Sequence, residues 1–434
     1  MRKKRLIVTA LLLLSLSIIS KVLSIIVKII IARFLSKEAM TLYSLATPTM
    51  LFFITLAQLG LPNAVSKIIA DRSILKKQPM ASIIVIATLN NILLVILLVL
   101  FIPLLSKLLF HDAQMKGVLY AIVPLLPLVT ISGILKGYYS GKQRHITSSA
   151  AAIVEEVFRL LFILGIFYLY PPTSATSLAA ITMVSISVGE IGTILFLGIT
   201  FPKSPSYFSK LISHSTTQAT KYVLSLALPL SGSRFIGTLT MFLEPFIITL
   251  LGSTALLSIQ ESYGELHGYV LPLLSLSSFV SATLSAYLLP TFTAYYSSNR
   301  IQNARKLLHQ ISLLSLSLSL VFASVLYLFP QELCSLLYHK ELSLSSIQCI
   351  RFMAFPFAFG SLQSIFSVCL IAMNKTVHGF VDSTTGSLCR ILSLCILLPL
   401  IHEAALFVSL LIGFLTTTTM HGFHLYHTFF KHHI

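Results

Sequence analysis

Tryptophan is absent from this 434-residue sequence and charge is scarce, with only 10% of residues being Asp, Glu, Lys or Arg and 13 acids set against 30 bases. So little charge beside 56% hydrophobic residues and a mean hydropathy of +0.91 excludes an ordinary soluble domain. With no Trp, an aromatic belt has to come from other rings, and Tyr43, Tyr138, Tyr139, Tyr287, Tyr295 and Tyr296 stand near the ends of apolar runs. Cys334, Cys349, Cys369, Cys389 and Cys395 lack C-x-x-C spacing and lie mostly inside apolar runs, so they read as small fillers. No phosphate-binding loop, H-E-x-x-H pair or nucleophilic triad pattern occurs, so the sequence offers no enzyme, no cofactor and no ATP hydrolysis.

What is present is a succession of apolar windows about 20 residues long, each sufficient to cross a bilayer. They fall near 8–33, 41–61, 81–105, 118–135, 148–170 and 178–200, then near 223–251, 267–290, 308–329, 348–371, 380–400 and 404–426. The expected architecture is an all-α polytopic membrane protein of about 12 helices. It divides into a six-helix lobe (1–201), a connector (202–222) and a second six-helix lobe (223–434). The basic MRKKR start resembles a signal peptide, but no small-residue cleavage site closes the apolar run, so the segment reads as an uncleaved first helix.

Alternate connectors differ sharply in basic residues, 19 on the side of the N-terminus and 5 on the other, counting Lys136 among the connector residues. The positive-inside rule then places both termini on the cytoplasmic side of the membrane. The formal charge of +17 is therefore a topology signal, not a nucleic-acid surface. Six bases remain within spans: Lys21, Lys28, Arg159, Arg234, Arg351 and Arg390. At about 3 kcal/mol each they would cost on the order of 18 kcal/mol facing lipid, so they must line water or pair with acids.

Lys21 and Lys28 lie one heptad apart, and Ser17, Ser20 and Ser24 share their helical face. Glu155 and Glu156 precede Arg159 by four and three positions, the favourable order for an ion pair within one helix. Glu190 is a lone acid beside Gly189 and Gly192, suited to pair with an intramembrane cation or to carry a coupling ion. Arg234 and Glu244 share the seventh span, which Pro229 and Pro245 mark for a bend or break. Asp382 and Glu403 read as interfacial. His421, His424, His427, His432 and His433 have helical spacing but no adjacent Cys or carboxylate, so no metal is assigned.

The halves look like copies. Ser20-Lys21 and Ser233-Arg234 occupy matching places in each first span, and GKQRHITSSAAAIVEEVFR (141–159) resembles NKTVHGFVDSTTGSLCR (374–390). An even number of spans per half implies a parallel pseudo-two-fold repeat about the membrane normal, with a cavity expected between the halves.

The segment SKVLSIIVKIIIARFLSKEAMTLYSLATPTMLFFITLAQLGLPNAVSKIIAD resembles the opening helices of the stage V sporulation protein B and polysaccharide biosynthesis family. That family lies within the multidrug/oligosaccharidyl-lipid/polysaccharide exporter superfamily. EEVFR, PLSGSRFIGTLTMFLEPFII and YGELHGYVLPLLSLSSFVSATLSAYLLPTFTAYY extend the resemblance along the chain. It implies alternating access by two lobes around a cationic cavity for a lipid-linked pyrophosphoryl saccharide, with Lys21 and Lys28 where the family places arginines. It also implies an Arg234–Glu244 pair in the seventh helix.

The function expected is a flippase for an undecaprenyl-pyrophosphate-linked saccharide, a peptidoglycan precursor, in growth or sporulation. Lys21, Lys28, Arg159, Arg234 and Arg390 would serve the headgroup, with Glu155, Glu156, Glu190 and Glu244 supporting or coupling to Na+ or H+. Membrane lipids and cell-wall synthesis enzymes are the partners expected of a monomer. One alternative is a sodium- or proton-coupled antiporter for drugs or metabolites; another is a non-transporting scaffold for cell-wall enzymes.

Overall fold

A computed structural model describes residues 2–70, 79–108, 113–201, 217–252 and 255–427. The chain is helical throughout these residues, as its apolar composition requires: in lipid a backbone must satisfy its own hydrogen bonds. The first unit, Met1–Pro245, contains α1 (Arg2–Phe34), α2 (Lys37–Gln58), α3 (Leu61–Ala70), α4 (Pro79–Leu108), α5 (Met115–Tyr120), α6 (Leu125–Gly141), α7 (His145–Leu169) and α8 (Ala175–Ile199). It also takes most of α9 (Thr217–Leu251). The second unit, Phe246–Ile434, holds α10 (Leu256–Glu265), a π-helical turn (Leu266–Val270), α11 (Leu271–Ser297), α12 (Ile301–Leu328), α13 (Pro330–Tyr338), α14 (Leu344–Ala372), α15 (Thr376–Ile401) and α16 (Ala404–Leu425). Residues 202–216, most of the expected connector, lie outside the described residues.

Ten helical stretches among the described residues are long and apolar enough to cross a membrane. With α7, which carries Glu155, Glu156 and Arg159 together, and α11, they make the twelve spans. Within each unit the second span packs on the fourth, the fourth on the sixth and the fifth on the sixth, so the sequence repeat is also a repeat of packing. The third spans differ: α12 packs along both α11 and α14, whereas α4 touches its neighbours sparingly.

Four local departures from the expected pattern follow from residue chemistry. The run 41–61 is two helices, because Leu59 and Gly60 turn left-handed (φ 46° and 69°) between α2 and α3. A Cβ at Gly60 would meet the Ala227 carbonyl oxygen at 2.3 Å, so glycine lets α9 approach the break. The fourth span continues to Gly141, six residues beyond its expected end, and α9 is helical through both Pro229 and Pro245. Tyr138 and Tyr139 are buried, the Tyr139 hydroxyl donating to the Leu197 carbonyl at 2.9 Å, so they hold helices together instead of forming a belt.

Candidate functional site

In the first unit α1 packs along α7, and this pairing gathers three cations. Lys21 and Lys28 are exposed on α1, Arg159 on α7 is half-buried, and the charges of Arg159 and Lys21 both act on Lys28. Glu156 stands beside Arg159 and Lys28, with the Glu155 charge also acting on it, and accepts a hydrogen bond from Ser24, a member of the serine stripe. Within α7 the Arg159 charge acts on Glu156, but Glu155 does not pair with Arg159. Arg159 donates its Nε–H to Ser185 Oγ at 3.3 Å on α8, while Glu155 turns to a different helix.

That partner is Lys136. Its Nζ lies 2.7 Å from Glu155 Oε2 and 3.9 Å from Glu190 Oε2, joining α6, α7 and α8. Ser132, one turn earlier on α6, hydrogen bonds to Glu190, which is buried at 6% exposure. Lys136 is therefore a seventh basic residue within the spans, not a connector residue. Hydropathy ends a span at the first lysine it meets, and only the two facing carboxylates show that this one is internal. Glu190 does pair with a cation, though none of the six expected.

Arg234 is exposed on α9 and lines a polar recess of about 30 Å³ with Thr55, Gln58, Gly60, Pro62, Asn63 and Ser231. Stacking of Phe242 on Phe52, with centroids 4.8 Å apart, holds α9 against α2 here. The α2–α3 break thus places side-chain donors and the first turn of α3 beside a guanidinium, an arrangement suited to an anion. Glu244, two to three turns further along α9, is buried at 2% exposure.

In the second unit Arg390 is half-buried on α15, and its charge acts on His267. His267 lies in the π-helical turn with its ring 4.2 Å from that of Tyr263. Arg351 is exposed on α14. Asp382 is fully buried within the protein. His421 Nδ1 meets its Oδ2 at 2.8 Å, and His424 Nδ1 lies 2.7 Å from its Oδ1. The carboxylate missing from the sequence around these histidines thus comes from α15. Among the described residues no group of three or more His, Cys, Asp or Glu could hold a metal; His432 and His433 lie outside them. Glu403 accepts from Ser258 Oγ near a helix end, as an interfacial acid would. Burial pushes the Cys334 thiol, outside the spans, up to about 12, in keeping with an inert filler.

Comparison with known proteins places this arrangement. The chain is 28% identical over 403 residues to Stage V sporulation protein B of Bacillus subtilis (strain 168), spanning 90% of this chain and 77% of that protein. It is 23% identical over 368 residues to sporulation protein YkvU of the same organism, spanning 82% and 80%. Among solved structures, the lipid II flippase MurJ in an inward closed conformation superposes with a TM-score of 0.70 at 13% identity, covering 96% of this chain and 87% of that one. An inward-facing multidrug resistance MATE transporter of the MOP superfamily gives 0.69 at 13% identity, covering 95% and 96%. The polysaccharide biosynthesis protein family model matches residues 8–296, and the chain belongs to that family.

Proposed function

We propose that the protein moves an undecaprenyl-pyrophosphate-linked saccharide, a peptidoglycan precursor, from the cytoplasmic to the outer leaflet of a bacterial plasma membrane by alternating access. The observation that carries this reading is that Lys28 lies within reach of both the Lys21 and the Arg159 charges, with Glu156 beside it, on membrane-spanning helices. Like charges gathered at such depth repel one another, and an anionic headgroup relieves that repulsion. Arg234, beside the α2–α3 break, offers a second contact to a pyrophosphate. Lysine supplies charge without the bidentate fork of arginine, which suits a headgroup that must be released after crossing.

The antiporter alternative needs an acidic site open to a cationic ligand. In the first unit Glu155 and Glu190 are both drawn to Lys136, which disfavours that role. Their place in this reading is to hold α6, α7 and α8 together behind the cations and, through Glu190, to serve a coupling Na+ or H+.

Retention of a purified undecaprenyl-pyrophosphate glycolipid, followed by native mass spectrometry with a cationic dye as competitor, tests the proposal. Wild type should retain the glycolipid and Lys21→Ala/Arg234→Ala should lose it. Retention of the dye alone would overturn the reading in favour of the antiporter.

A further inference from the structure

The sparse packing of α4 leaves a groove of about 560 Å³ between α4 and α6 in the first unit. Close-packed helices leave no void of this size, which falls in the range of ligand pockets. Its walls are almost wholly apolar, with Ile84, Ile92, Ile96, Ile131 and Ile134 prominent. The polar residues at its floor are already engaged with protein groups. Asn91 Nδ2 donates to the Ala87 carbonyl at 2.8 Å and lies 3.1 Å from Thr130 Oγ1, and the Thr130 hydroxyl lies 3.0 Å from the Leu126 carbonyl oxygen. The occupant is therefore hydrocarbon. One end of the groove is closed by Tyr138 and Phe201, rings 4.9 Å apart, and there Lys142 Nζ lies 5.9 Å from the Tyr138 ring centroid. A cation beside an aromatic pair at a span end is where an anionic headgroup sits when its tail enters the membrane.

We propose that this groove seats the polyprenyl tail of an anionic lipid, with Lys142 beside its phosphate. The tail is methyl-branched every four carbons, and a wide groove walled by branched side chains fits it better than the narrow slot a straight acyl chain requires. Resting on the flippase reading, this gives the substrate a loading position on the first unit, separate from Lys21, Lys28 and Arg159.

The absence of Trp makes the test direct. Single-Trp proteins Ile92→Trp and Val95→Trp place the reporter in the groove, and Leu100→Trp places it on the lipid-facing side of α4, where Leu100 is 68% exposed. Each is reconstituted in phosphatidylcholine vesicles containing increasing brominated polyprenyl phosphate. Quenching should saturate at low mole fraction for the groove reporters and rise in proportion for Leu100→Trp. Adding Lys142→Glu should raise the half-saturating fraction about thirtyfold, since the charge changes by two units and each near the surface is worth about 1 kcal/mol.

Equal quenching by brominated phosphatidylglycerol, proportional quenching at both groove positions, or no quenching there because the chain itself covers the groove would each overturn the proposal. Glycolipid translocation by the wild type, measured in parallel, separates the two readings. Transport without saturable quenching removes the groove alone, and saturable quenching without transport keeps the groove while removing the flippase.

Discussion

Each unit buries one charged cluster, and the two are built from opposite materials. In the first, an ammonium stands between two carboxylates, and three helices, α6, α7 and α8, meet on it. In the second, a carboxylate stands between two imidazoles, and only α15 and α16 are involved. Lys136 and Glu155 keep 28% and 26% side-chain exposure, whereas Asp382 has none and His421 only 2%. The wetter cluster can afford full charges because water shares their solvation; the drier one sets imidazole nitrogens against a buried carboxyl group. The lesson is that burial depth selects the chemistry of the cross-brace, and that neither cluster resembles the cation-rich α1–α7 face.

The largest effect is expected from breaking the first cluster. Lys136→Ala strands Glu155 and Glu190 without their cation and should cost about 3 kcal/mol, the low end for breaking a buried pair because this one is partly exposed. Thermal unfolding in detergent measures it, and adding Glu155→Gln and Glu190→Gln should recover most of the loss. No recovery would mean that Lys136 acts through packing instead of charge.

In the second cluster, His421→Phe removes a hydrogen-bond partner of the fully buried Asp382 carboxyl group and should cost about 2 kcal/mol. His424→Ala should cost about 1 kcal/mol or less, because His424 is 24% exposed and water can replace it. Equal losses at the two histidines would show that burial does not set the strength of this brace.

How much of this was legible in the sequence depended on whether a signal lay within one helix or between helices. The Lys21–Lys28 stripe was legible because a heptad with interleaved serines is complete inside α1. Most of the spans were legible because their apolar runs are long, ten of them among the described residues being long and apolar enough to cross a membrane. Lys136 was not, since hydropathy treats a lysine as an end and the acids that internalise it lie 19 and 54 positions later in the chain. The one local hint was GYYSG after Lys136, a stretch with no further charge up to Gly141. The partners of Asp382 were not legible for the same reason: they stand on the neighbouring helix, 39 and 42 positions away. The Glu155–Arg159 spacing misled in the other direction. A favourable i, i+4 pair is worth only about 0.5 kcal/mol on its own helix, and the contact to Lys136 on α6 outweighs it.

The smallest stability effect is expected where the functional effect is greatest. Lys21 is exposed and its neighbouring charge is of its own sign, so Lys21→Ala should leave stability within about 0.5 kcal/mol, with a small gain as repulsion is relieved. Translocation of an undecaprenyl-pyrophosphate glycolipid by the same variant should be abolished, and Lys21→Arg should restore it. This pattern is the inverse of that expected at His421, where fold depends on the residue through a buried bond. A loss of stability at Lys21 comparable to that at Lys136 would make the α1–α7 face a third structural brace and leave the headgroup without its cations. Unchanged stability with lost transport would separate it from both braces, because a charge that contributes nothing to the fold yet remains within a membrane helix has to be matched by something that binds.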